Sequence, residues 1–389
     1  MKSFQSGRPL FLVALSLLTV ISGGVGALLG VCGPFTDLSD PGFCPFVLEI
    51  FTLGITTGTS PTTYDPSSNV NRLQMAAFLS RSVDGVLKRG SRRIALDQFW
   101  TPQNDTVLGL TTVGSNPTIP RSDGLDIWVP NFLGNTVSRV HGSDGQLLQT
   151  WTGATSAWAV LVAMGRVFVT AAATPGSLYR IDPGQPPGSV TTVATNVGSE
   201  PRGIGFDGSH IWVANLGGSV SIVTPGATIP WTVTTVTTGF LGPTAVVYDA
   251  ANIWVTDFSA DTIFKLDTSG AVLQTVTVGG GPRYPVLDGA NIWVPNMTSN
   301  SISVVRVSSG AVLQTLTGNG LGSPRSAAFD GQRVLVTNSS GNSVSLWKAA
   351  DLTPLGVFPT GAGTTPFGAC SDGINFWITL SGAGQLARF

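Results

Sequence analysis

Arginine and aromatic residues recur at one position of a repeated segment, directly after a proline in most copies. The residues concerned are Arg202, Arg283, Arg325, Trp158, Phe367 and the adjoining Tyr284. Guanidinium groups suit carboxylate, phosphate or sulfate, and aromatic faces suit sugar rings. If the fold gathers these residues, we expect an electropositive mouth with stacking surfaces that binds an anionic ligand. The alternative is that the arginines are solvated or bond to carbonyls of neighbouring elements.

The two histidines are the other residues that could do acid–base or metal chemistry. In the repeat described below, His141 falls between the third and fourth strands of one unit, and His210 between the first and second strands of another. The two side chains therefore do not converge. Segment 203–208 (GIGFDG) matches a dinucleotide-binding fingerprint in its letters, but a strand pattern surrounds it and no helix follows. We expect no metal, no cofactor and no catalytic residue.

Three cysteines are present, Cys32, Cys44 and Cys370. In an oxidising compartment the first two could close a short loop as a disulfide. Cys370 lies far along the chain in a strand pattern, where a buried free thiol is the favoured state.

The repeat itself is defined by a bulky apolar position that recurs every 39 to 44 residues. That position is occupied by Trp128, Phe168, Trp212, Trp254, Trp293, Leu335 and Trp377. An aspartate lies five residues earlier in six of the seven copies, and a proline lies eleven residues earlier in the same six. We interpret the tryptophans as packing between neighbouring units, where a large ring buries the most surface.

A period near 42 residues that holds four short strands is typical of a propeller. We therefore predict an all-β fold, a seven-bladed β-propeller over residues 100–389, behind a small N-terminal α-helical module. In the fourth unit, strands are expected at 244–248, 253–256, 262–266 and 272–278. The seventh unit stops one strand short. We expect residues 106–113 to supply that strand and so to remove an open sheet edge.

Segments 128–131 (WVPN) and 135–138 (NTVS) resemble YVTN-type and NHL-like propeller repeats, and the resemblance covers about 290 residues. It implies the propeller fold. The virginiamycin B lyase-like enzymes share this propeller type and, as a family, rely on a histidine-containing site with a bound metal. A lyase-like enzyme is therefore the alternative to a non-catalytic binding protein.

The N-terminus has the pattern of a secretory signal peptide over residues 1–27. Lys2 and Arg8 precede an apolar stretch, and Val25 and Ala27 occupy the small-residue cleavage positions. The alternative is an uncleaved membrane anchor, since residues 10–31 carry no charge and are long enough to span a bilayer. We expect a secreted or cell-envelope protein of a bacterium.

Residues 32–93 contain two stretches with helical periodicity, and Asn71 with Gln74 forms a capping-box pattern at the start of the second. The module resembles an S-layer homology (SLH) module. The matching residues are Phe35-Thr36-Asp37, Phe46, Ile50, Leu53-Gly54-Ile55, Gly58, Tyr64, Pro66, Val70, Arg72, Gln74 and Leu79. The resemblance implies that Arg72, with Gln74 beside it, contacts an anionic cell-wall polysaccharide. That family usually carries three copies, and one is found here.

The composition narrows the partners. Only 11% of the 389 residues are charged, and the net charge is −1, which argues against nucleic-acid binding. We expect an exported, non-catalytic binding or scaffold protein that presents a propeller face to an anionic envelope glycan or a surface protein. A structural surface-layer subunit is a further alternative. Contact with the membrane is expected only if the signal is not cleaved.

Overall fold

The computed structural model describes residues 35–38, 43, 47, 50–51, 56–88 and 109–389. The chain divides into two compact units, Met1–Phe99 and Trp100–Phe389. Within the described ranges, no helix is long and apolar enough to cross a membrane. The predicted signal peptide (residues 1–27) and the predicted disulfide between Cys32 and Cys44 lie outside the described residues.

In the first unit, helix α1 (Arg72–Lys88) begins at the predicted capping box. The Asn71 N–H donates to Gln74 Oε1 and the Gln74 N–H donates to Asn71 Oδ1, both at 2.9 Å. Each side chain thus satisfies an N–H that the first helical turn leaves without a partner. The predicted capping box is confirmed.

A small aromatic cluster lies upstream of this helix. The Phe35 ring is 5.2 Å from that of Phe51 and 5.6 Å from that of Tyr64, between ring centroids. Asp37 accepts the backbone N–H groups of Tyr64 and Asp65 at 2.9 and 2.7 Å, and these bonds lower the pKa of its carboxyl group. The carboxylate therefore holds the loop before α1 against the segment that contains Phe35.

The second unit, over residues 109–389, has seven four-stranded antiparallel sheets, one per blade. Blade 1 consists of β2 (Arg121–Ser122), β3 (Asp126–Asn131), β4 (Thr136–His141) and β5 (Leu147–Thr152). Blade 2 consists of β6 (Ala157–Ala163), β7 (Arg166–Ala171), β8 (Ser177–Ile181) and β9 (Thr191–Thr195). Blade 3 consists of β10 (Pro201–Phe206), β11 (Ile211–Asn215), β12 (Ser219–Thr224) and β13 (Thr232–Val236). The predicted seven-bladed propeller is confirmed.

The remaining blades follow the same order. Blade 4 consists of β14 (Pro243–Tyr248), β15 (Ile253–Asp257), β16 (Thr262–Leu266) and β17 (Val272–Thr277). Blade 5 consists of β18 (Val286–Leu287), β19 (Asn291–Asn296), β20 (Ser301–Arg306) and β21 (Val312–Leu316). Blade 6 consists of β22 (Pro324–Phe329), β23 (Arg333–Asn338), β24 (Ser343–Lys348) and β25 (Pro354–Pro359). Blade 7 consists of β26 (Pro366–Ser371), β27 (Phe376–Leu380), β28 (Gln385–Arg388) and β1 (Gly109–Thr112).

Blade 7 combines both ends of the second unit. Strand β1 pairs antiparallel with β28, with Gly109 opposite Arg388 and Thr112 opposite Gln385. The first strand of each blade lies innermost, and the first strands of blades 7 and 1 contact each other. Strand β1 covers the outer edge of β28. The last blade therefore has four strands, like the others, and the edge of β28 is not left open.

The repeated aspartate and tryptophan form a hydrogen bond within each blade that has both. The Trp254 indole N–H donates to Asp249 Oδ2 at 2.7 Å, and the other carboxylate oxygen accepts two backbone N–H groups of the turn. The same indole bond, at 2.7 to 2.8 Å, occurs in blades 1, 3, 5 and 7. All five rings are fully buried, which contributes about 4–6 kcal/mol of gross hydrophobic stabilisation each. The five-residue spacing therefore places a carboxylate where a buried indole needs an acceptor.

Blades 2 and 6 depart from this pattern in a consistent way. In blade 6 the bulky position is Leu335, and the Arg333 Nε–H donates to Asp330 Oδ2 at 2.9 Å. In blade 2 the ring is Phe168, which has no polar hydrogen, and Ala163 replaces the aspartate. The carboxylate is present only where a donor faces it.

The glycine-rich segment 203–208 lies in β10 and the turn that follows. A Cβ on Gly203 would be 2.5 Å from the Cα of Ala245 in the first strand of the next blade. This glycine is therefore needed for the close approach of two inner strands.

Candidate functional site

The position after the repeated proline lies at one end of the ring, where each blade begins its innermost strand. The structure gathers six residues there, which we call the mouth cluster: Trp158, Arg202, Arg283, Tyr284, Arg325 and Phe367. Two residues at the same repeat position do not join it. The Thr118 hydroxyl donates to the Trp158 carbonyl at 2.6 Å, and the Thr244 hydroxyl donates to the Pro282 carbonyl at 3.1 Å. Both threonines are fully buried and connect neighbouring blades.

The aromatic members of the mouth cluster come from three separate blades and meet across the ring. The Trp158 indole N–H of blade 2 donates to the Tyr284 hydroxyl of blade 5 at 2.6 Å. The Phe367 ring of blade 7 lies 5.5 Å from the Trp158 ring and 6.3 Å from the Tyr284 ring. Tyr284 and Phe367 are only 5% and 9% exposed. These three rings form an aromatic layer across the mouth.

Beneath this layer, the centre of the ring is nearly filled. A cavity of about 30 Å³ remains, lined by inner-strand residues that include Ile119, Ala159, Ile204 and Ala245, with Tyr284 among its lining. A space of this size holds no more than a few water molecules. A sugar or phosphate group is too large for it, so the arginines of the mouth cluster are the candidate contacts for such a ligand.

Each arginine of the mouth cluster lies over an aromatic ring. The Arg202 guanidinium carbon is 3.7 Å from the Trp158 ring centroid, and Arg325 is 4.7 Å from that of Phe367. Arg283 lies 3.9 Å from the centroid of Phe258, which belongs to the fourth blade. The rings therefore support guanidinium groups, and one face of each ring is already covered by an arginine.

The three arginines differ in their polar partners. Arg202 Nη2 lies 2.7 Å from Glu200 Oε2 and forms an ion pair. The Arg325 Nε–H donates to the Ser339 hydroxyl at 3.0 Å. The Arg283 guanidinium has no hydrogen-bond or ion-pair partner among the described residues, and its Nε is buried. One guanidinium of the three thus has its charge paired with a carboxylate.

Burial and neighbouring positive charges shift the pKa values of residues in the mouth cluster. Burial lowers the pKa of Arg283, and the positive charges of Arg325 and Arg202 lower it further. Burial also lowers the pKa of Arg325. Burial raises the pKa of the Tyr284 hydroxyl although all three arginines oppose this change. Arginine stays protonated at physiological pH even so, since its pKa starts above 12, and three positive charges are held close together.

Four residues of the site were missed by sequence reasoning. Glu200 directly precedes Pro201 in the repeat, so its proximity to Arg202 could be predicted from the sequence. Phe132, Phe258 and Ser339 occupy one shared repeat position, the residue after the second strand. Phe132 packs edge-on against Trp158 at 5.1 Å, and the other two contact arginines. The same position-by-position reading that found the arginines would have found these residues.

The two histidines lie in separate blades, as predicted, although His141 is the last residue of β4 and not part of the turn that follows, whereas His210 lies in the turn between β10 and β11. His141 Nδ1 is 3.2 Å from Asp144 Oδ1, and His210 Nδ1 is 3.3 Å from Asp207 Oδ2. Among residues that the structure describes, no group of three or more histidine, cysteine, aspartate or glutamate side chains is arranged to hold a metal ion.

The other predicted site residues are not members of the mouth cluster. Arg72 is exposed at the start of α1, and the Gln74 side chain is engaged in the helix cap. Cys370 is a buried free thiol in β26, and burial raises its pKa to about 12.

The fold is similar to solved propeller structures of unlike activity. Virginiamycin B lyase from Staphylococcus aureus, solved in a catalytically inactive form with quinupristin, has a TM-score of 0.60 at 16% identity, covering 72% of this chain and 99% of that chain. Hydrazine synthase from Kuenenia stuttgartiensis has a TM-score of 0.60 at 18% identity, over 72% and 97% of the two chains. The WD40 propeller domain of Doa1 has a TM-score of 0.60 at 12% identity, over 73% and 97%.

These likenesses define the class of protein, a seven-bladed β-propeller, and at such identities they show the fold alone. No known protein family and no curated protein matches the sequence. Any function therefore has to be argued from the mouth cluster.

Proposed function

We propose that this chain is an exported, non-catalytic binding protein of the bacterial cell envelope, and that its propeller mouth binds an anionic glycan. The observation that carries the proposal is the grouping of Arg202, Arg283 and Arg325 with a single ion-paired carboxylate. Burying like charges together costs stability, and an anion that pairs with them offsets the cost. Contacts with Trp158, Phe258 and Phe367 hold the three guanidinium groups in place, so little side-chain entropy is lost on binding.

We further propose that residues 32–93 attach the propeller to the envelope. The proposal is supported by the resemblance to an SLH module, by the intact helix cap at Asn71 and Gln74, and by the exposure of Arg72. Export is supported by the signal-peptide pattern of residues 1–27.

Co-sedimentation with purified cell envelopes tests both parts. The full mature protein is compared with a variant that lacks residues 32–93 and with a triple Arg→Gln variant of Arg202, Arg283 and Arg325. We expect the triple variant to lose the propeller's share of the binding, and the binding of the parent to fall with added salt. The deletion variant should lose the attachment contributed by the N-terminal unit, and so should Arg72→Ala.

The matched control variant also loses three arginines, but at the strand ends opposite the mouth. Arg166, Arg180 and Arg306 lie at the strand ends away from the mouth, and a triple Arg→Gln variant of these residues should sediment like the parent. Equal binding by both triple variants would refute the mouth as the binding site. Sedimentation of none of the proteins would refute the envelope function altogether.

A further inference from the structure

We infer that the mouth cluster is built for a doubly charged oxyanion, a phosphate monoester or sulfate group, in preference to a carboxylate. This inference rests on the proposed function and names the group that the anionic glycan must carry. The geometry behind it is the unequal pairing of the three arginines.

The positive charges at the mouth outnumber their carboxylate partners. Three guanidinium groups are held there, and Glu200 neutralises that of Arg202. Two positive charges, on Arg283 and Arg325, then have no carboxylate partner among the described residues. Asp257, a buried carboxylate in blade 4, accepts only backbone N–H groups, at 2.8 to 3.1 Å. A dianion neutralises the pair, whereas a single carboxylate leaves one charge uncompensated.

The mouth also has unused hydrogen-bond donors. Each guanidinium has five N–H groups in one plane. Among the described residues, none accepts a hydrogen bond from the Arg283 guanidinium, and Arg325 donates only its Nε–H, to Ser339. Together, the guanidinium groups of Arg283 and Arg325 offer more N–H donors than the two oxygens of one carboxylate can accept. A tetrahedral group with three terminal oxygens uses more of them.

The aromatic rings at the mouth are already occupied by arginines. The guanidinium carbons of Arg283 and Arg325 lie 3.9 and 4.7 Å from the ring centroids of Phe258 and Phe367, so one face of each ring is covered. A sugar ring would have to displace an arginine to stack on the covered faces. Recognition at this site therefore depends on the charged group of the ligand and not on stacking.

Glu200 has a defined role in this arrangement. Its carboxylate holds Arg202 and keeps the available charge at two rather than three. We therefore treat Glu200 as a specificity-determining residue. Replacement by glutamine should release Arg202 and strengthen anion binding, which is the opposite of what loss of a merely structural contact would do.

The test is calorimetric titration of the full mature protein with sodium sulfate, inorganic phosphate, glucose 6-phosphate and sodium acetate at constant ionic strength. We expect sulfate and both phosphates to bind at least roughly 10-fold more tightly than acetate, because a dianion makes additional charge-assisted bonds. Arg283→Gln and Arg325→Gln should each weaken sulfate binding by roughly 10- to 100-fold, and Arg306→Gln should not change it. Glu200→Gln should tighten it several-fold.

The pH dependence separates the charge of the ligand from changes in the protein. A phosphate monoester gains its second charge near pH 6, so glucose 6-phosphate should bind more tightly at about pH 7.5 than at about pH 5. Sulfate is a dianion throughout this range, so any change in its affinity reports a change in the protein. A rise for the phosphate ester alone supports the inference.

The two sources of the group are distinguished by the same titrations. Tighter binding of glucose 6-phosphate than of inorganic phosphate indicates a group carried on a sugar, and equal binding indicates the free ion. Arg283→Lys, which keeps the charge on a slightly shorter side chain, provides a variant that folds if the glutamine variants do not, and it should lose less affinity than Arg283→Gln.

Acetate binding as tight as sulfate binding, or weaker sulfate binding by Glu200→Gln, would overturn the inference. If the arginines are still needed for envelope binding in that case, the proposed function stands and only the preference for a dianion fails. If the mouth arginines matter neither for the anions nor for envelopes, both fail together.

Discussion

Replacement of Asp249 by alanine tests the role of the repeated aspartate most directly. In the parent, one carboxylate oxygen accepts the Trp254 indole N–H at 2.7 Å, and the other accepts two turn amides at 2.6 and 2.8 Å. The Trp254 ring is fully buried, so its N–H has no other acceptor once the carboxylate is removed. A buried donor without a partner costs about 1–3 kcal/mol. The turn amides are nearer the surface, where water replaces the lost bonds.

We therefore expect Asp249→Ala to lower the free energy of unfolding by about 2 kcal/mol, which corresponds to roughly 4–8 °C in Tm. Urea unfolding followed by tryptophan fluorescence and a thermal scan measure the two quantities. Asp267→Ala is the matched control, because Asp267 also accepts turn amides in blade 4, at 2.9 and 3.0 Å, but faces no indole. It should be much less destabilising.

A double-mutant cycle assigns the cost to the bond itself. Trp254→Phe removes the donor while keeping a ring, so Asp249→Ala should cost at least about 1 kcal/mol less in that background than in the parent. The reasoning is refuted if the two costs are equal, or if Asp249→Ala is no more damaging than Asp267→Ala.

Further predictions concern acid stability, the buried thiol, ring closure and the mouth. In blades 1, 3 and 4, burial opposes ionisation of the tryptophan-binding aspartates, but the indole and amide bonds outweigh it and lower each pKa. Their stabilisation is complete above the unfolded pKa of about 3.9 and is lost as the pH falls through the folded values, so Tm should drop steeply below about pH 4. Cys370, with its pKa raised to about 12, should react with a thiol reagent only after unfolding. A variant lacking residues 1–112 should melt lower than one lacking residues 1–108 and should associate at high concentration, because only the former exposes the edge of the last blade. Arg283→Met should raise Tm by a few degrees at low salt, since it removes an unpaired, half-buried charge while keeping contact with Phe258. A lower Tm would show that the guanidinium stabilises the mouth.

The fold was predictable because the repeat fixes internal spacings. The strands expected in blade 4 at 253–256 and 262–266 are observed at Ile253–Asp257 and Thr262–Leu266, and those of the blade's inner and outer edges differ by one residue. Each blade repeats the same turn residues, so a strand boundary that is misplaced in one copy can be corrected by comparison with the other copies. The bond from aspartate to tryptophan was not foreseen, because spacing alone does not show that the two side chains of a turn and a strand face each other.

The position of the site could be predicted from the sequence, but only some of its side-chain contacts could. A shared repeat position placed Arg202, Arg283 and Arg325 at one end of the ring, since all blades have the same register. The same position also holds Thr118, whose short side chain turns into the blade interface because a hydroxyl finds a carbonyl there. Side-chain length and local acceptors decide which residues reach the mouth, and neither follows from the repeat. The pairing of Cys32 with Cys44 and the role of residues 1–27 stay predictions, as they fall outside the described residues.

The mouth cluster destabilises the folded protein, and this cost is the strongest argument that the cluster has a function. The blades could close the ring with small apolar residues, as the inner strands do around Ile119 and Ala159. Instead the chain gathers three guanidinium groups whose charges lower the pKa of Arg283, and leaves the Nε of Arg283 buried without an acceptor. Natural proteins retain such local costs mainly where binding or catalysis recovers them. Trp158, Phe258 and Phe367 hold the three arginines in place before any ligand arrives. An oxyanion that enters the mouth therefore relieves the repulsion with little loss of side-chain entropy, and the destabilising feature of the free protein becomes the source of its affinity.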